Sequence, residues 1–205
     1  MITSGQFLIF LSAAFLLAIS PGPGMLYVLA RSLKGGRKVG LASSFGTALG
    51  GMGHVIAGAF GLSAILAQSA YAFLFVKYLG AAYLVYLGIR TLFSVDAAMP
   101  ATVDQGRIAQ NPFWQGVLTE VLNPKTALFF LAFIPQFVDH AASLLPQFIL
   151  LGATSIALNT SADLVVVLAA APLAKRLETS MLWRRRQRQV SGAALVGLGS
   201  YVAVS

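Results

Sequence analysis

Two apolar runs in this chain, each long enough to cross a bilayer, are broken by proline near their middles. Ser20-Pro21-Gly22-Pro23-Gly24 breaks the first run and Asn123-Pro124-Lys125 the fourth, in corresponding places of the two halves. Proline has no N–H for the carbonyl one helical turn back, and its ring crowds that carbonyl, so each break strands backbone groups. Hydrocarbon offers them no partner. Such backbone is tolerated at membrane depth only inside protein or along a water-filled cavity. Matching interruptions in two halves of a chain point to a transport site near the membrane midplane. The breaks predict a carrier built around them.

Composition leads to the same class. Hydrophobic residues make up 58% of the 205 and charged residues 10%, with mean hydropathy +0.81. A soluble domain carries about a quarter charged residues, so the chain reads as an all-α integral membrane protein. At about 20 apolar residues per span, six spans read out at roughly 6–30, 41–66, 71–93, 113–137, 145–171 and 189–205. The start, Met1-Ile2-Thr3-Ser4-Gly5-Gln6, lacks the basic residues of a secretory signal, and no leader is expected. Cysteine is absent, which excludes disulfides, thiolate metal sites and thiol-relay chemistry. No cofactor, metal or catalytic residue is expected.

The basic residues set an orientation. Arg31, Lys34, Arg37 and Lys38 lie between spans one and two, and Arg90 and Arg107 flank the connection between three and four. Lys175, Arg176, Arg184, Arg185, Arg186 and Arg188 lie between five and six, while the connections near Gln68 and Asp139-His140 hold no Lys or Arg. The positive-inside rule puts every basic loop in the cytoplasm and both termini outside. The net charge of +8 then belongs to loops that face anionic lipid, and no nucleic-acid partner is expected.

The halves also repeat. Gly80-Ala81-Ala82-Tyr83-Leu84-Val85-Tyr86-Leu87-Gly88 is similar to Gly192-Ala193-Ala194-Leu195-Val196-Gly197-Leu198-Gly199 with one gap. Three spans per copy is an odd number, so the second copy is inverted relative to the first, an architecture of many secondary transporters. The chain divides as one membrane domain, 1–205, with repeats 1–93 and 113–205 joined by a cytoplasmic linker over 94–112.

Ser20-Pro21-Gly22-Pro23-Gly24, the run Lys77–Gly88, Leu122-Asn123-Pro124-Lys125 and Pro135-Gln136-Phe137 together resemble the lysine exporter and homoserine/threonine-resistance superfamily, over nearly the whole chain. The resemblance implies a bacterial inner-membrane exporter of amino acids or close derivatives, driven by the proton gradient. Many members carry an acid or amide after the Pro-Gly-Pro; here that place is Gly24. Any role of that acid does not carry over.

Polar residues inside the spans are costly, about 2.5–3.5 kcal/mol for a charge on insertion scales, and so face the bundle or a water path. Glu120 and Lys125 flank the second break, either as a buried pair that fixes helix register or as transport residues. Ser155, Asn159 and Asp163 recur every fourth residue and share one face of span five. Two carboxylates brought together by Asp163 and Glu120 would favour a proton held between them, which proton coupling requires. His54 shares a row with Gly46, Gly50 and Gly58, which points it at a neighbouring helix. There it either bonds a backbone carbonyl or relays protons. Lys77 and Arg90 read as anchors at opposite ends of span three, Lys77 with room to snorkel.

An amino-acid zwitterion needs N–H groups or a cation for its carboxylate and acceptors for its ammonium. Helix N-termini resuming at Gly24 and Thr126, with Lys125, suit the carboxylate. Carbonyls freed by Pro21, Pro23 and Pro124, with Asn123 or an acidic side chain, suit the ammonium. Gly22 and Gly24 let backbone approach a ligand closely. Candidate substrate residues are thus Pro21, Gly22, Pro23, Gly24, Asn123, Pro124, Lys125 and Asn159; proton candidates are Asp163, Glu120 and His54. Phe15, Tyr27, Phe129 and Phe130 lie near the breaks and suggest room for an uncharged or apolar side chain. Alternatives are export of another small metabolite or cation, or a passive channel. A hydrolase lacks a serine motif beside its one plausible base, His54, and soft-metal export lacks ligands. The glycine rows serve intramolecular packing and a homo-oligomer alike.

Overall fold

The computed structural model describes residues 3–68, 70–93, 111–139, 142–170 and 181–204, and all regular structure among them is helical. In chain order the elements are α1 (Ser4–Ile19), α2 (Pro23–Gln68), α3 (Ala70–Phe93), α4 (Pro112–Val121) and α5 (Pro124–Leu128). A π-helical turn, Phe129–Phe133, and a 3-10 turn, Ile134–Phe137, continue α5, and α6 (Leu144–Leu168) and α7 (Met181–Val204) complete the fold.

Local chemistry explains the starts and stops. Thr3 and Gln6 form a capping box at the head of α1. Asn111-Pro112 and Asn123-Pro124 open α4 and α5 in the same way: the Asn side chain accepts from the N–H two residues on, at 3.0 Å and 3.1 Å, and proline takes the first helical position. Pro23 likewise starts α2. Pro112, expected in the linker, is the first residue of a helix; linker residues 94–110 lie outside the described residues, as does Ser69.

The basic connection between spans one and two is not a loop. Helix continues through it except at Gly36, with φ 74° and ψ −174°. That backbone region is essentially restricted to glycine, and the chain folds back there, which brings Ser43 Oγ within 3.5 Å of the Tyr27 hydroxyl. The last helix begins at Met181, not near 189, so Arg184–Arg188 occupy its opening turns. A helix satisfies its own backbone whatever the charge of its side chains, so a basic cluster does not stop it.

Packing places the two breaks against each other. The far limb of α2 lies on α4 along a seam of glycines: a Cβ on Gly50 would come within 2.6 Å of the Val117 carbonyl, one on Gly116 within 2.5 Å of that of Ser43, and one on Gly46 would collide with Phe113 O. The antiparallel pair α3 and α7 is as close, with Gly88 against the Gly192 carbonyl and Gly199 against that of Ala81, each 2.7 Å from a notional Cβ. The apolar core joins Phe10 and Ala14 of α1, Leu84 of α3, Phe148 of α6 and Leu198 of α7 to the phenylalanines after α5. Rings of Phe129, Phe133 and Phe137 lie 4.8–4.9 Å apart in sequence along that segment.

Outside, large apolar residues face away from the protein on every long helix, among them Leu8, Phe60, Phe75, Val165 and Val204. Water would not tolerate such a surface; lipid would. Among the described residues α6 alone is long and apolar enough to cross a membrane unaided. Ser4–Ile19 with Pro23–Gly61, and Pro112–Val121 with Pro124–Phe137, reach that measure as pairs bent by 45° and 46°. Lys77, expected to snorkel, is instead buried, its ammonium 5.7 Å from the centre of the Tyr78 ring. A cation–π contact replaces the interface it would otherwise reach for.

Candidate functional site

Each proline of the breaks deprives a definite carbonyl. Pro21 has no N–H for Leu17 O, and Pro124 has none for Glu120 O. Each of these carbonyls accepts a local N–H, from Ser20 at 3.2 Å and from Asn123 at 3.0 Å, and a second nitrogen from elsewhere in the fold. Lys125 Nζ donates to Leu17 O at 2.8 Å and to Ser20 O at 2.6 Å. His54 Nε2 lies 2.9 Å from Glu120 O, and because a carbonyl only accepts, the ring nitrogen carries the hydrogen. The second break thus caps the first, and α2 caps the second. Bonds from a charged donor are worth about 1.5–3 kcal/mol each, enough to hold Lys125 buried.

Around this junction lies a cavity of about 40 Å³, space for a few waters. Its wall includes Ser20, Gly22 and Gly24 from the first break, Glu120, Asn123 and Lys125 from the second, and Asn159 and Asp163 from α6. The stripe on α6 therefore points inward as expected, although Ser155 is buried outside the cavity and bonds Leu151 O. Asn159 Nδ2 donates to Ser155 O at 3.0 Å. Asp163 accepts from Thr47 Oγ1 at 3.0 Å.

Glu120 and Lys125 have different partners. The Glu120 carboxylate accepts from Asn123 Nδ2 at 3.1 Å and from Thr126 Oγ1 at 2.6 Å, which aims it at Gly24. A Cβ at residue 24 would collide with Glu120 Oε2, so glycine there is what lets this carboxylate approach the first break. Gly22 does the same for Lys125, whose Cδ would sit 3.0 Å from a Cβ at that position.

His54 is not part of the cavity wall; it stacks on Phe130 with ring centres 6.0 Å apart. Phe129 and Phe130 do line the cavity, and Phe15 does not: it is half exposed on the outer face of α1. Tyr27 is spent on a different junction, donating to Pro112 O at 2.6 Å and accepting from Arg31 Nε at 3.3 Å. Sequence reasoning passed over Thr47 and Thr160, and took Thr126 only as the place where a helix resumes. A lone threonine in a membrane helix gives no signal of its own, since its hydroxyl can always bond the carbonyl one turn back.

A helical chain with a lipid-facing apolar surface, bent helices and a polar cavity where their breaks meet is a membrane transport protein. Residues 15–205 match the LysE type translocator family, and the chain belongs to it. Membership in a translocator family makes it a transporter and not an enzyme. It is 30% identical over 199 residues to an uncharacterized membrane protein of Vibrio cholerae, covering 97% of this chain and 96% of the other. It is 32% identical over 168 residues to a homoserine/homoserine lactone efflux protein of Salmonella typhimurium, covering 82% and 80%. A leucine efflux protein of the same organism is 31% identical over 138 residues, covering 65% and 63%. No solved structure matches the chain.

Proposed function

We propose that this protein exports amino acids or close derivatives with small, uncharged side chains across the bacterial inner membrane, as a proton antiporter. The carrying observation is the junction of the two breaks, where backbone acceptors, an ammonium and two carboxylates surround one cavity. The relatives named for efflux of homoserine, its lactone and leucine support a neutral amino-acid substrate. Pro21, Gly22, Pro23, Gly24, Asn123, Pro124, Lys125 and Asn159 form the substrate site. First-turn N–H groups of α2 have no intrahelical partners, and Gly24 and Met25 at the cavity bring them to the carboxylate. Asp163 carries the coupled proton with Glu120 as its neighbour across the cavity; His54, bound to Glu120 O, steadies the second break.

The architecture we infer is six spans in two inverted repeats, 1–93 and 113–205, with both termini outside the cytoplasm. A proline-started helix after a break in each half supports it, as does the antiparallel glycine packing of α3 on α7. The test is uptake of leucine or homoserine into inverted vesicles or proteoliposomes with an imposed proton gradient. Uphill movement that collapses with an ionophore is expected. Movement that never exceeds equilibration, with or without ionophore, would identify a passive channel instead.

A further inference from the structure

The foot of α1 is built as a receptor for a primary ammonium group, and Lys125 is what it holds in this structure. Leu17 O and Ser20 O converge on Nζ at 2.8 Å and 2.6 Å. Beside them Ser20 is 2% exposed, lines the cavity, and among the described residues its Oγ has no hydrogen-bond partner. A buried hydroxyl left unpaired is destabilising, and a ligand that bonds it gains by that amount. An alkylammonium has three donors; Lys125 places two of them on the carbonyls and does not bond the Ser20 hydroxyl, which a cargo ammonium not tethered to α5 is free to reach. The Lys125 head is an ammonium on a tetrahedral carbon, the same group that an α-amino acid presents.

We propose that the cage formed by Leu17 O, Ser20 O and Ser20 Oγ is the seat of the transported molecule's amino group, and that Lys125 is its tethered stand-in. This deepens the reading of the protein as an amino-acid exporter, and rests on it for the identity of the cargo. Two ammonium groups cannot share the same pair of carbonyls, because like charges a few ångströms apart repel strongly where water is scarce. The cargo therefore enters by displacing Lys125, and Lys125 returns when the cargo leaves. Throughout the cycle Leu17 O and Ser20 O keep a cationic donor. Gly22, against the Lys125 stem, leaves the stem free to slide past the backbone. Lys125 so placed is a gatekeeper of the amino subsite and not the partner of the cargo's carboxylate.

The test uses purified full-length protein and two simple probes. Methylammonium and ethylammonium should raise the melting temperature of Lys125→Ala saturably by several degrees, because a ligand bound only by the folded state stabilises it. Tetramethylammonium, with no N–H, should not, and native protein should respond to none of them. Adding Ser20→Ala to Lys125→Ala should weaken the ethylammonium response severalfold. Lys125→Met, which keeps the stem and fills its space, serves if the alanine variant folds poorly. Absence of an N–H-dependent response in both Lys125 variants overturns the proposal. In proteoliposomes, leucine counterflow by Lys125→Met should persist with a severalfold lower KM while uphill export is lost. Loss of leucine binding in that variant, with binding of leucine methyl ester retained, would make Lys125 the carboxylate partner and overturn the proposal while leaving amino-acid export intact. Ammonium rescue without any amino-acid counterflow by native protein would uphold the cage and overturn the amino-acid cargo.

Discussion

At the scale of single residues, two side chains with exchangeable protons end on backbone carbonyls whose usual helical donor is a proline, and each can be tested apart from the other. His54→Ala removes one of two donors to Glu120 O, which keeps the Asn123 N–H, so the variant should lose about 0.5–1.5 kcal/mol of stability, read as a lower melting temperature in detergent. The pH profile of export should keep its shape, since a group that only donates to a carbonyl is not part of proton coupling. A displaced profile would return His54 to the proton path. Asp163→Asn keeps an acceptor for Thr47 but removes the charge. It should abolish uphill export while preserving substrate exchange. Glu120→Gln is the companion measurement. Exchange without coupling there as well would assign the proton to the pair, and normal gradient-driven export by both variants would remove carboxylates from the coupling mechanism.

At the scale of elements, glycine decides where helices touch. Gly46 and Gly116 face each other's backbone across the α2–α4 seam, with no room for a side chain. Gly46→Val should push α4, and with it Glu120 and the second break, away from α2. Overpacking of this kind costs about 1–3 kcal/mol, and export should fall with the melting temperature. Gly36→Ala tests another property. No neighbour crowds that position, but its φ of 74° is strained for any other residue. The expected loss is again about 1–3 kcal/mol, this time without displacement of the cavity. Leucine counterflow measured below the melting range should therefore survive Gly36→Ala and fail in Gly46→Val. The π-helical turn after α5 belongs to the same scale. Its wider coil sets Phe129 and Phe130 into the cavity wall while Phe133 stays in the core with Phe10, and such turns are frequent at functional sites.

At the scale of the whole molecule, orientation and inversion stand or fall together. Native absence of cysteine gives a clean background for labelling. Single cysteines at Ser69, Ser143 and Ser205 should react with an impermeant maleimide added outside intact cells. Those at Lys34, Gln105 and Ser180 should react only after permeabilisation. Opposite accessibility would reverse the topology, and a mixed pattern within either set would break the three-plus-three division.

Class, break positions and inward stripe were legible in the chain because each follows from local chemistry. Apolar length sets where helix can cross lipid, proline sets where helix must stop, and four-residue spacing puts Asn159 and Asp163 on one face whatever surrounds them. Helix ends were legible only to within a turn: Arg31–Lys38 continue a helix that charge alone marked as a loop, and α7 starts well before the apolar run does, because a helix satisfies its own backbone regardless of side-chain polarity. Family motifs named Lys125 but not its partners. That Leu17 O receives Lys125, that Glu120 O receives His54, and that Gly24 leaves room for Glu120 are contacts between residues up to 108 positions apart. Proline dictates that a carbonyl loses its usual helical donor, a fact of covalent structure. Which distant donor comes to it depends on how the bent helices pack, and only the assembled bundle decides that.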